Sequence, residues 1–240
     1  MKRIFFIFFI PLITLGQKEY DTKIEDQSRP GILWYVSWRP SNKPKPRKYD
    51  RLVFDIHYND FKSNLSLSSK SIRSIGFTSN FLNEIPLNNK STLSVGYGLG
   101  ISVSKTLLNQ NLVESTPQII SCFPQTNSDA YMRNSLIGSN INLPVELRIR
   151  TKGWKHTKLY LGGRVGYQLT LKEKYSFADM TRNHKISLKN AAEDFTYSLY
   201  ARTGFRNYAL YASYQLNSIF QHPESPQLNW LQVGLSISLF

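Results

Sequence analysis

Histidine is the side chain best suited to general acid–base chemistry near neutral pH, and the sequence has four of them: His57, His156, His184 and His222. A serine hydrolase would need one of them within hydrogen-bond reach of a serine and oriented by a third group. Serines are abundant, so no spacing singles one out. The only cysteine, Cys122, has no close metal-ligating companion and cannot form an intramolecular disulfide. The sequence therefore predicts no enzymatic activity, no metal site and no cofactor.

A second set of reactive side chains consists of charges placed at alternate positions within otherwise apolar segments. Each charge lies on the face opposite the apolar residues of its own segment. The five are Asp55, Glu146, Arg148, Arg164 and Arg202. Both signs are present on these faces, so the segments that carry them must bring opposite charges together or leave them in water.

The segments themselves are typical of β-strands, because apolar residues alternate with small or polar ones. In 93–104 every odd position is apolar, and every even position is glycine or serine. A soluble sandwich would alternate in the same way, but several segments here keep the pattern for ten residues or more. Soluble strands usually have about 5–6 residues, whereas a tilted strand that crosses a bilayer needs about 9–11. We count eight alternating segments in all: 52–59, 72–82, 92–104, 141–150, 159–170, 195–205, 208–216 and 231–240.

The connections between these segments alternate in length. Long polar stretches cover 105–135, 172–194 and 221–229, while the intervening joins at 84–91, 151–158 and around Asn207 are short. Bacterial barrels place short turns at the periplasmic rim and longer loops outside. The sequence therefore predicts an all-β fold, an eight-stranded antiparallel transmembrane β-barrel with short periplasmic turns and longer extracellular loops. Both termini are then periplasmic.

Inside such a barrel the charged residues face a narrow lumen. Eight strands leave an interior just wide enough for side chains. Asp55 and Glu146 should therefore pair with Arg148, Arg164 and Arg202, because an unpaired charge there would cost several kcal/mol. Two roles remain open for this barrel-interior network, namely a structural plug or a path for protons or solutes.

The formal charge of +14 first suggests a nucleic-acid partner, but the N-terminus favours export. Lys2 and Arg3 precede an apolar run from Ile4 to Leu15, which is the layout of a secretory signal peptide. We predict a signal peptide over 1–16, cleaved between Gly16 and Gln17. The remaining parts are a Pro/Lys/Arg-rich periplasmic segment over 17–48 and the barrel over 49–240. Export argues against a nucleic-acid partner.

The segment before the barrel contains a dense group of basic residues separated by prolines, which favours an extended chain. In the periplasm this basic patch could bind an acidic partner protein or anionic headgroups, or it could be a solvated linker. Both interpretations remain open. The patch consists of Arg39, Lys43, Lys45, Arg47, Lys48 and Arg51.

Several strings in the sequence together resemble the PorT-like outer-membrane β-barrel proteins of Bacteroidota. They include YDRLVFDIHYNDF, GYGLGISVS, INLPVELRIRTK and YSLYARTGFRNYALYASYQLNSIF, and the resemblance runs from about Tyr49 to Phe240. It implies an eight-stranded outer-membrane barrel. The namesake of the family is associated with type IX protein secretion and gliding.

We therefore expect a non-enzymatic integral outer-membrane barrel that is a component or assembly factor of an envelope protein-secretion machine of the type IX kind. The expected partners are outer-membrane lipids and periplasmic or outer-membrane proteins of that machine. One alternative is a structural barrel subunit of another outer-membrane complex. The other is a lipid-modifying enzyme, for which His57 is the best candidate residue.

Overall fold

The computed structural model describes residues 50–63, 73–88, 92–108, 110–116, 119–124, 131–151, 157–177 and 183–239. The predicted signal peptide, its cleavage site at Gly16 and Gln17, and the 17–48 segment lie outside these residues. Eleven strands and one short 3-10 turn, at Lys189–Ala191, form the described part. The strands are β1 (Leu52–Ser63), β2 (Ile75–Pro86), β3 (Leu93–Leu108), β4 (Gln110–Thr116), β5 (Ile119–Pro124), β6 (Tyr131–Arg150), β7 (Thr157–Phe177), β8 (Asn183–Ser187), β9 (Phe195–Phe205), β10 (Tyr208–Gln215) and β11 (Leu228–Ser238).

Eight of these strands close into a barrel. The order is β1, β2, β3, β6, β7, β9, β10, β11 and back to β1, and every neighbouring pair is antiparallel. Closure runs along β1 and β11, from Val53 opposite Ser238 to Ser63 opposite Leu228. The predicted all-β fold of eight antiparallel strands is confirmed.

The short connections and both ends of the described chain meet at one rim, which we call the lower rim. The β9–β10 connection is a two-residue turn in which Arg206 has a φ of 54°. The chain ends are joined there, because the backbone N–H of Leu239 donates to the carbonyl of Leu52 over 2.9 Å. The opposite, upper rim carries the longer connections, as the alternating lengths predict.

Burial alternates along the barrel strands as the sequence pattern predicts. Outward side chains are apolar and exposed, with Leu99 60% and Leu210 63% exposed, while inward positions such as Asp55 and Glu146 are buried. We call the outward apolar surface the apolar belt. None of the described residues forms a helix with the length and hydropathy that a bilayer crossing requires.

Pro144 interrupts the pairing of β6 with β3. The aligned pairs run to Tyr97 opposite Val145 and resume only at Gly100 opposite Asn142. Proline has no N–H to donate to a ladder, so a proline inside a strand belongs at an unpaired position. In the sequence, Pro144 lies on the polar face of an alternating segment. A proline at such a position predicts a bulge or a locally unpaired residue.

Two of the long connections, expected as polar loops, contain further strand segments. β3 continues to Leu108, β4 and β5 form a separate hairpin, and β6 and β7 extend upward together as far as Tyr131 opposite Phe177. The reason is an apolar cluster at the upper end of the barrel, which we call the cap core. It contains Phe61, Leu108, Leu112, Ile120, Leu136, Leu171, Leu188, Ala191, Ala192, Ile219, Phe220, Leu228 and Trp230.

A β-bulge on β7 makes this cap core possible. Ser139 of β6 is opposite Thr170 and the next residue, Asn140, is opposite Gln168, so Leu169 is the extra residue. A bulge reverses which side chains face inward on the strand beyond it. Leu169 is 42% exposed, whereas Leu171 is fully buried. Simple alternation places Thr170 inward. Instead its hydroxyl lies 2.7 Å from that of Ser139, on the face that the bulge turns outward.

This bulge predicts opposite outcomes for two leucines that simple alternation would place on one face. We expect Leu171→Ala to lower the free energy of unfolding by about 2–5 kcal/mol, because it leaves a cavity in the cap core. Leu169→Ala removes an outward side chain and should cost less than about 1 kcal/mol. Urea unfolding in lipid vesicles, followed by tryptophan fluorescence, measures both. Equal losses would contradict the bulge.

Candidate functional site

The lower end of the lumen is closed by a buried ion cluster around Asp50. Asp50 precedes β1 with a φ of 51° and is fully buried. The hydroxyl of Tyr160 donates to Asp50 Oδ2 over 2.5 Å, and Lys158 Nζ lies 3.4 Å from both carboxylate oxygens. Lys158 also donates to Ser238 Oγ over 2.9 Å. This cluster therefore connects the start of the barrel to β7 and to the last strand.

Arg148 links this cluster to the next layer of charges. Its Nη2 donates to the backbone carbonyl of Asp50 over 3.1 Å, and its Nε and Nη1 donate to Glu146 and Glu84 over 2.7 and 3.0 Å. Arg150 pairs with the other oxygen of Glu84. Arg148 is fully buried, so all its donors are directed at protein atoms in the lumen.

Arg202 bridges the two carboxylates at the centre of the lumen. Its Nε and Nη2 donate to the two oxygens of Asp55 over 3.0 and 2.8 Å, and its Nη1 donates to Glu146 Oε2 over 2.5 Å. Tyr200 donates to Glu146 over 2.9 Å and Asn80 donates to Asp55 over 3.1 Å. The bidentate contact is the geometry in which a guanidinium binds a carboxylate most strongly.

The structure thus brings together four of the five charged residues predicted for the interior: Asp55, Glu146, Arg148 and Arg202. Arg164 also faces the lumen, but none of the described carboxylates lies within ion-pair distance of it. Its Nη2 donates to Ser213 Oγ and Gln232 Oε1, each over 2.8 Å, and its guanidinium lies 5.9 Å from the centre of the Tyr200 ring. Within the described part of the chain, Arg164 therefore has neutral hydrogen-bond partners, and its direct pairing with a carboxylate stays a prediction.

Sequence reasoning missed several members of the network. Glu84 lies near the lower end of β2, and Lys158 and Tyr160 lie near the lower end of β7, at inward positions that strand alternation could have identified. Asp50 lies before β1, where no alternation applies. Its inclusion depends on a left-handed backbone conformation, for which the sequence carries no periodic signal.

Above the ion network lies a small polar cavity of about 20 Å³, which has room for little more than one water molecule. Arg164 is the one charged residue in its described lining. The other lining residues are Ser102, Ser104, Gly138, Asn140, Asn142, Gln168, Thr196, Ser198, Ser213, Gln215, Trp230 and Gln232. The cavity is too small for an organic substrate.

His57, the best catalytic candidate, is hydrogen-bonded inside the lumen. Its Nδ1 lies 2.7 Å from Asn59 Oδ1 and its Nε2 lies 3.2 Å from Thr78 Oγ1. This order of amide, imidazole and hydroxyl resembles a hydrolase triad, but all three side chains are at most 1% exposed. Gly76 packs so closely that a Cβ there would lie 2.3 Å from the ring. A substrate could not reach the hydroxyl of Thr78 in this conformation.

The cap core closes the lumen above the polar cavity. Trp230 lines the cavity from above and packs against Phe61 in a tilted arrangement, with ring centres 4.4 Å apart. The β4–β5 hairpin is held over this core by Glu173, whose Oε1 accepts from the backbone N–H of Leu112 over 3.1 Å and from Asn134 over 2.6 Å. Glu173 lies above the apolar belt, and burial raises the pKa of its carboxyl.

The other residues of the sequence analysis lie apart from this network. His156 and the basic residues Arg39, Lys43, Lys45, Arg47 and Lys48 lie outside the described part of the chain. Arg51 is half-buried, and its carbonyl accepts from the backbone N–H of Leu82 over 2.7 Å. The remaining histidines and the cysteine lie toward the upper rim: His184 in β8, His222 before β11 and Cys122 in β5. The described residues contain no group of three or more ligating side chains that could hold a metal ion.

No protein-family model matches the sequence, and no curated protein sequence does so either. Among solved structures, the chain is similar to Ail, the attachment invasion locus protein of Yersinia pestis, with 13% identity and a TM-score of 0.35. The match covers 78% of this chain and 95% of Ail. A second structure of Ail, in complex with the heparin analogue sucrose octasulfate, matches at 14% identity and a TM-score of 0.33, with the same coverage.

The ion network predicts that two inward arginines differ in their effect on stability. We expect Arg202→Met to lower the free energy of unfolding by about 3–5 kcal/mol, because it leaves Asp55 buried without a cation. Arg164→Met removes hydrogen bonds to neutral partners only and should cost about 1–2 kcal/mol.

Urea unfolding in lipid vesicles at neutral pH measures both variants. Adding Asp55→Asn to the Arg202→Met variant should recover part of the loss, since it removes the unpaired charge. Equal losses for the two arginines would show that the carboxylates do not depend on Arg202.

Proposed function

We propose that this chain is a non-enzymatic integral outer-membrane barrel, sealed to solutes, that serves as a component or assembly factor of an envelope protein-secretion machine of the type IX kind. The observation that carries the proposal is the combination of an apolar outer surface with a filled lumen. This is the reverse of a soluble barrel, in which charges face water and apolar side chains fill the interior.

The apolar belt has the height of a bilayer. On β7 it runs from Leu159 to Leu169, which spans about 33 Å along the strand. At a strand tilt of about 40° this covers about 25 Å, close to the apolar height of outer-membrane barrels. Aromatic residues lie near both ends of the belt, with Tyr167 against Phe195 above and Phe205 and Tyr208 below. Interfacial aromatics of this kind support a membrane location.

The filled lumen supports a role without transport or catalysis. Ion pairs close the lower part, the polar cavity has room for little more than one water molecule, and the cap core covers the upper part. The triad-like order at His57 is the one observation that favours an enzyme. Because His57 and its two partners are buried, we interpret their hydrogen bonds as structural. Function then belongs to the two rims and the outer surface.

The secretion role is supported by the sequence resemblance to PorT-like proteins. In the proposed orientation the lower rim, where β1 begins, faces the periplasm, and we assign the basic patch, which precedes β1 in the sequence, to that side. There it would be positioned to bind acidic partner proteins of a machine. Outer-membrane lipids surround the apolar belt, and no nucleic acid is involved.

Deleting the gene tests the secretion role. We expect the deletion strain to lose export of proteins that carry type IX signals, and expression of the full chain from a plasmid to restore it. Secreted proteins in the culture medium are quantified by mass spectrometry. Normal export combined with altered composition of a different outer-membrane complex would instead favour the structural-subunit alternative.

The sealed lumen predicts that the purified barrel does not conduct ions. In planar bilayers we expect no discrete conductance steps from the wild-type chain, because charged and apolar layers both block the lumen. A known porin reconstituted in parallel serves as the positive control. Regular conductance steps from the wild-type chain would contradict the sealed lumen and restore the solute-path interpretation.

A further inference from the structure

In one sector of the outer surface just above the apolar belt, all the charged side chains that the structure describes are basic. It is formed by the upper ends of β3, β6, β7 and β8. Lys105 of β3 is opposite Ile137 of β6, which is opposite Lys172 of β7. One step higher, Lys174 of β7 is opposite Lys185 of β8. We call Lys105, Lys172, Lys174 and Lys185 the lysine sector.

Among the residues that the structure describes, no carboxylate pairs with these four lysines, whereas other lysines of the same rim have partners. Lys189 pairs with Asp194, and the ammonium of Lys62 lies 5.8 Å from the centre of the Tyr214 ring. In the lysine sector, by contrast, Lys174 and Lys185 are direct cross-strand neighbours of like charge. Such pairs destabilise a sheet unless an anion lies between or above them. The sector therefore favours an anionic ligand.

The height of the sector identifies the source of that anion. Lys105 is two residues beyond Val103 and Lys172 is three beyond Leu169, the last exposed apolar residues of their strands. At about 3.3 Å per residue and a tilt of about 40°, these lysines begin about 5–8 Å above the belt. This is the level of the lipid headgroups. The β7 bulge is what turns Lys172 outward, since simple alternation along β7 would place it in the lumen.

We infer that the lysine sector binds the phosphate groups of the outer-leaflet glycolipid. This inference rests on the proposed outer-membrane location with the upper rim outside. Lysine is a flexible point charge that suits phosphates whose positions vary, and basic residues close to an anionic membrane surface add to binding individually. Because Lys105 and Lys172 are separated by two strand spacings of about 4.8 Å, one phosphorylated headgroup can contact both.

The test is a lipid titration of the full chain in a neutral detergent. The probes are bisphosphorylated lipid A and the same lipid A after removal of its phosphates. We expect the wild type to prefer the phosphorylated form. Lys172→Gln combined with Lys185→Gln should weaken binding of the phosphorylated form about 25-fold, at about fivefold for each lysine.

The matched control is Lys62→Gln combined with Lys189→Gln, which changes the net charge equally but lies outside the sector. We expect it to weaken binding by less than about twofold. The inference is overturned if dephosphorylated lipid A binds equally well, or if the control variant loses as much affinity as the sector variant.

Insertion into phosphatidylcholine vesicles, measured by protection from protease, separates this inference from the proposed function. A wild-type chain that does not insert overturns the outer-membrane proposal itself. A chain that inserts and binds lipid A without regard to its phosphates overturns only the inference about the lysine sector. The sector variant must insert as the wild type does, which shows that its loss of binding is not a loss of folding.

Discussion

The closed barrel depends on the bridge that Arg202 makes between Asp55 and Glu146. These three residues come from β9, β1 and β6, strands on different sides of the lumen. The lumen has little room for water, so the buried carboxylates depend on cations within the barrel, and most of these pairs join different strands. Arg148 extends the bridge from Glu146 to Glu84 and to the backbone of Asp50. The ion network therefore fixes how the strands face one another around the barrel.

Three layers fill the barrel from the lower to the upper rim. The lowest consists of ion pairs, the middle is a small polar cavity that contains Arg164, and the uppermost is the apolar cap core. Each layer blocks solutes for a different reason: direct charge pairing, lack of space and lack of polar groups. This arrangement explains why the proposed function is assigned to the rims and the outer surface. His57 and its hydrogen-bonded partners are buried within this packing, where a substrate could not reach them in this conformation.

The bulge at Leu169 determines which side chains of β7 enter the cap core and which lie on the outer surface. By reversing the faces of β7, it directs Leu171 and Glu173 into the cap and turns Lys172 toward the solvent side. The same extra residue thus allows the strand to supply an apolar core above the apolar belt and a basic outer surface just beyond that belt. A β7 without the bulge would bury Lys172 and expose Leu171, which would destabilise the cap.

The sequence by itself determined the eight strands, their inward and outward faces, the irregularity at Pro144 and four members of the ion network. These features follow from the two-residue alternation of side chains along a strand, which can be recognised within one segment without knowing its neighbouring strands. The tertiary structure alone decided the partners. Asp50 meets Tyr160 and Lys158 across more than 100 residues, and Arg164 is left with neutral partners. The cap core was also not predictable from the sequence pattern. Its residues belong to segments that bury apolar surface only when β6, β7 and the β4–β5 hairpin come together. A one-residue bulge reverses the inward and outward side chains of the strand beyond it, and the local sequence pattern does not show where the bulge occurs.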